Sequence, residues 1–119
     1  MALLKYQVAK ATAGSANKTV EFPGGGTPII KKISAISVQH LMFAQWYGRF
    51  TNPEDDYDTL GLFNKIIPDT YYSAVLYEGN SEWPQGWNIY LATHSQVASD
   101  IIYWTIEYDL LKPVKKKWW

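Results

Sequence analysis

His40 and His94 are the only imidazoles in the chain, and neither stands in a spacing that chemistry would use. A metal centre needs further ligands at short helical or loop spacing, and a nucleophile needs a base within hydrogen-bond reach; no such pattern surrounds either residue. Cysteine is absent. Thiol catalysis, a disulfide framework and a cysteine zinc site are therefore excluded, and the redox compartment cannot be read. The remaining nucleophiles are Ser and Thr without motif context. Glu54, Asp55, Asp56 and Asp58 offer the oxygen ligands that a hard cation takes. They lack the Asp-x-Asp-x-Asp-Gly spacing and distal glutamate of a calcium loop, so 54–58 reads as a solvated acidic loop. Glu107 and Asp109 share one strand face and are expected to meet solvent or a neighbouring subunit, since paired-carboxylate hydrolysis needs a cleft that sequence cannot define. Gly24, Gly25 and Gly26 are not followed by Gly-Lys-Ser/Thr, so they mark a turn rather than a phosphate cradle. The expectation is a protein that is not an enzyme and that needs no metal or cofactor.

Binding chemistry is better represented. Trp83, Trp87 and Tyr90, near Asn80 and Gln85, could form a platform on which flat rings stack against sugar faces while amides bond hydroxyls. The alternative is that Trp87 and Tyr90 lie on opposite strand faces, leaving only Trp83 exposed. At the other end of the chain, Lys115, Lys116 and Lys117 precede Trp118 and Trp119. Lysines attract phosphate and indoles stack or wedge, so this tail suits nucleic acid or a membrane interface. It equally suits a neighbouring copy, with indoles as anchors and lysines facing acidic loops such as 54–58, and that docking is the favoured expectation.

The elements that would position these residues are strands. Between 100 and 111 large residues recur at every second position: Ile102, Trp104, Ile106, Tyr108 and Leu110 on one face, Ile101, Tyr103, Thr105, Glu107 and Asp109 on the other. That is the period of a strand packed on a core. Residues 3–11 and 17–22 alternate as well and predict a hairpin or arm over 1–28. Pro23 to Pro28 predicts a long turn, since glycines permit positive φ and prolines interrupt a ladder. Residues 29–39 and 41–50 predict extended structure, with Gly48 as a bulge or close backbone approach; 41–47 could be helical on apolarity alone, but its aromatics and the strand-like sequence before it favour a strand. Residues 51–68 read as a long excursion whose second half could make a short helical turn. A strand over 70–78, turns at Gly79-Asn80-Ser81 and Pro84-Gln85-Gly86, and a strand over 87–93 complete the series. Without helices alternating between strands, a parallel sheet is disfavoured. The predicted fold is all-β, a single antiparallel β-sandwich, with its core over 29–112 and a basic, aromatic tail over 113–119.

At 119 residues the chain suits one domain with one core. Aromatic residues reach 16%, with six Trp and nine Tyr, a surplus that points to crowded cores and contact surfaces. Eleven basic residues balance eleven acidic ones, and Arg49 is the only arginine. Specific base reading, which leans on arginine forks, is disfavoured, so any nucleic-acid contact would be non-specific. No apolar run approaches the ~18 residues of a membrane span, and Leu3-Leu4 lacks the flanks of a secretory signal.

Residues 87–94 (Trp-Asn-Ile-Tyr-Leu-Ala-Thr-His) and 102–111 (Ile-Tyr-Trp-Thr-Ile-Glu-Tyr-Asp-Leu-Leu) resemble the last two strands of small viral jelly-roll coat proteins. Those often close on a strand of the form aromatic-x-Ile/Val-x-Tyr-Asp-x-Leu. The resemblance covers about a quarter of the chain. It implies that the antiparallel β-sandwich is jelly-roll-like and that the chain is a structural protein of the virion, a capsid or capsid-associated component, whose partners are other copies of itself and other virion proteins. Such shells commonly carry a basic arm, whereas residues 1–28 hold only Lys5, Lys10 and Lys18. The competing expectation is a carbohydrate-binding β-sandwich module using Trp83 and Trp87.

Overall fold

The computed structural model describes residues 2–10, 15–24, 26–37, 42–71, 73–94 and 101–111, with side chains described for 17–24, 26–36, 45–66, 73–93 and 102–110. Among the described residues the chain forms eight strands: β1 (Ala2–Lys10), β2 (Ser15–Val20), β3 (Thr27–Ser37), β4 (Met42–Asn52), β5 (Asp55–Tyr71), β6 (Ser73–Glu82), β7 (Asn88–His94) and β8 (Ile101–Leu111). They make two four-stranded sheets, ordered β1-β8-β3-β6 and β2-β7-β4-β5, in which all neighbours are antiparallel. Each connection between consecutive strands passes from one sheet to the other, except the β4–β5 hairpin. This is the antiparallel sandwich that the alternation predicts, with a jelly-roll-like strand order.

The core follows from the period of two. On β8, Ile102, Trp104 and Ile106 are fully buried and Tyr108 nearly so, while Tyr103 faces outward. They meet Ile30, Ile33 and Ala35 of β3 in the same sheet, and Trp46, Phe50, Ile89 and Leu91 from the other. Each aliphatic side chain fully buried here contributes about 1.5–3 kcal/mol. Trp46 and Trp104 cross between the layers edge-to-face, their ring centroids 5.9 Å apart.

Four sequence expectations are corrected. Residues 1–28 do not pair as a hairpin: β1 is bonded to β8 and β2 to β7, so each completes a different sheet. The excursion predicted over 51–68 is instead most of the long strand β5. Only Asn52 to Asp55 turns, and Pro68 is tolerated because β5, at a sheet edge, has a ladder on one side only. Gly79-Asn80-Ser81 is not a turn either. β6 runs on to Glu82, and Gly79 and Asn80 together lie opposite the single residue Lys31, which makes a bulge. Trp83, the fourth, is buried and not exposed.

Other expectations hold. Residues 42–52 are extended as β4. Gly48 sits at a register shift against β5, and a Cβ there would lie 2.9 Å from Cζ of Phe63, so only glycine admits that ring. The 84–87 turn closes through Trp87 N–H donating to the Pro84 carbonyl at 3.1 Å, with Gly86 at φ 79°.

Candidate functional site

Trp83 does not form a platform. It is only 1% exposed, its ring meets Phe22 edge-to-face at 5.7 Å, and its Nε1 donates to the Trp87 carbonyl at 2.8 Å. The physical reason is the bulge at Gly79 and Asn80. The strand continues past it, and Trp83 N–H bonds the Pro28 carbonyl at 2.9 Å, so the indole turns inward at the end of the sandwich. Trp87 is half-buried and packs against the same core. Tyr90 lies on the opposite side of β7, as its three-residue spacing from Trp87 requires.

Tyr90 instead belongs to a cluster that single-strand reading missed. On the outer face of the β2-β7-β4-β5 sheet, Arg49 pairs across strands with Tyr90, its guanidinium carbon 5.0 Å from the Tyr90 ring centroid and 6.0 Å from that of Tyr47. The two phenol rings are 6.1 Å apart. Stacking of this kind orients the fork of the chain's sole arginine. Burial pushes the Tyr90 phenol above its ordinary pKa, the charge and hydrogen bond of Tyr47 add to the rise, and the Arg49 charge opposes it. Gln45 donates to Asn64 at 3.1 Å on the same face. The alternation Tyr47-x-Arg49 is visible in sequence, but the cross-strand register that brings Tyr90 alongside is not.

The acidic segment 54–58 is solvated, as expected, although it belongs to a hairpin. Asn52 Oδ1 accepts from Glu54 N–H at 3.0 Å, Asp55 Oδ1 accepts from Tyr57 N–H at 3.0 Å, and Asn52 Nδ2 donates to Asp58 at 3.2 Å. These carboxylates shape the turn, and Tyr57 is 97% exposed at its tip. Among the described residues, no three His, Asp or Glu side chains converge on a point that could hold a metal ion.

On the outer face of the β1-β8-β3-β6 sheet, Lys31 lies 3.7 Å from Asp109, and Lys32 lies 4.0 Å from Glu107. Lys31 also bonds Asn80 across the bulge. Further along, Ile36 pairs with Tyr103 across strands, 49% and 38% exposed. Beside them lies a shallow depression of about 380 Å³ lined by Lys32, Ser34, Ile36, Ser73 and Val75. Lys115, Lys116, Lys117, Trp118 and Trp119 lie outside the described residues, as does His40; His94 is placed by its backbone alone, between Ser15 and Gln45.

Comparison with known protein families, with curated proteins and with solved structures finds no match. Among the described residues no helix is long and apolar enough to cross a membrane.

Proposed function

We propose that this chain is a structural component of a virion, a capsid or capsid-associated protein that assembles with copies of itself through strand edges and its terminal segments. The observation that carries the reading is the strand order β1-β8-β3-β6 over β2-β7-β4-β5. It is the topology implied by the coat-protein resemblance of residues 87–94 and 102–111. The same order leaves β1 and β6 at the edges of one sheet and β2 and β5 at the edges of the other, each with a single neighbour. Edges of this kind favour association unless they are guarded. The aromatic surplus and the tail 113–119 add contact surface of the sort that anchors interfaces. The sugar-platform alternative loses its principal ring with the burial of Trp83.

Sedimentation and electron microscopy of the purified chain test the reading. Symmetric multimers are expected. A chain that stays monomeric across the accessible concentration range would overturn the proposal.

A further inference from the structure

We infer that the outer face of the β1-β8-β3-β6 sheet receives residues 115–119 of a second copy of this chain, an inference that rests on the assembly reading above. Two features of that face match the order of residues in the tail.

The first is charge. Glu78, Glu82, Glu107 and Asp109 stand on this face with Lys31 and Lys32. The two lysines answer Asp109 and Glu107. Glu78 and Glu82, both exposed on β6, have no cationic partner within ion-pair distance among the described residues. A run of three lysines supplies what they lack, whereas the phosphates of a nucleic acid or an anionic membrane would be repelled.

The second is the apolar shelf formed by Ile36 and Tyr103 beside the depression. Glu78 pairs with Lys32, and Ile36 lies four residues further along β3, about 13 Å at ~3.3 Å per residue. Lys115 and Trp119 are also four residues apart, so an extended tail sets a lysine over Glu78 while its final indole reaches Ile36 and Tyr103. Indoles on such a shelf are the side chains that interfaces use as anchors.

The donor is a second copy because the chain's own tail is too short. Leu111 pairs with Thr27 at the far end of the sheet, and β8 leaves there heading away from Tyr103. Tyr103 lies eight residues back, about 26 Å. The eight residues 112–119 span at most about that length when straight, which leaves none for the reversal. The tail lies on the face and does not extend the sheet at β6, because the Val75 carbonyl on that edge already accepts from Lys65.

Two full-fold variants separate donor from receiver. Glu78→Lys/Glu82→Lys keeps the tail and loses the receiving charges; deletion of 114–119 keeps the receiving face and loses the tail. In sedimentation velocity at low salt, each alone is expected to associate about tenfold or more weakly than the wild type, while an equimolar mixture pairs one to one. Trp118→Ala/Trp119→Ala is expected to weaken association similarly. Wild-type-like association of any of these variants, or failure of the mixture to pair, overturns this contact and leaves the assembly reading standing. A monomeric wild type overturns both.

Discussion

Lys65, on the edge strand β5 of one sheet, donates its ammonium to the carbonyl of Val75, on the edge strand β6 of the other, at 2.8 Å. Lys65 pairs with Trp46, whose side chain is in the core, so the lysine emerges on the inner side of β5 and spans the open flank of the sandwich. One side chain thereby satisfies an edge carbonyl and places a charge where another strand would have to dock. Inward charges on edge strands are a known guard against unwanted pairing.

Lys65→Ala is expected to lower stability by about 1 kcal/mol, the net worth of one hydrogen bond. It should also promote irregular edge-to-edge aggregation. Urea unfolding gives the first quantity, and light scattering against time gives the second. An alanine variant that scatters no more than the wild type would show that the flank is guarded by something else.

Trp46 and Trp104 are buried, and neither Nε1 finds a hydrogen-bond partner among the described residues. Each unpaired donor offsets about 1–3 kcal/mol of what the ring's burial contributes. Substitution by Phe removes the donor along with part of the ring, so the two effects oppose one another, and Trp104→Phe is expected to cost less than about 2 kcal/mol. Trp104→Ala keeps neither benefit and is expected to cost about 3–5 kcal/mol. Equal losses for the two substitutions in urea titrations would contradict this account.

Tyr90 predicts a pH dependence. Its pKa is raised in the folded chain, chiefly by burial. The stability linked to the neutral phenol is therefore fully present below the unfolded value near 10 and is lost as pH rises through the folded pKa. Unfolding free energies measured from pH 8 to 11 should fall more steeply for the wild type than for Tyr90→Phe. Parallel curves would remove the Tyr90 contribution.

The sandwich was legible because burial on both layers imposes a period of two, and β8 carries that period without interruption. Residues that interrupt it misled the reading. Gly79 and Asn80 are turn formers by composition, yet a bulge draws on the same residues, and the bulge here returns Trp83 to the core. β5 hid behind acids, glycine and proline, which an edge strand tolerates because only one side of its ladder is used. The Arg49, Tyr47 and Tyr90 cluster depends on which residue of β4 lies beside which residue of β7, a relation between segments some forty residues apart that no local pattern encodes.

The position of β8 between β1 and β3 governs the order of events at the ribosome. β8 follows the other seven described strands along the chain yet is an inner member of its sheet, so β1 waits with unsatisfied backbone until 101–111 emerge. Folding of that layer is consequently dominated by distant pairings, which places the chain among the slower folders. During that interval the unpaired β1 and the open side of β3 are the segments a chaperone would need to shield.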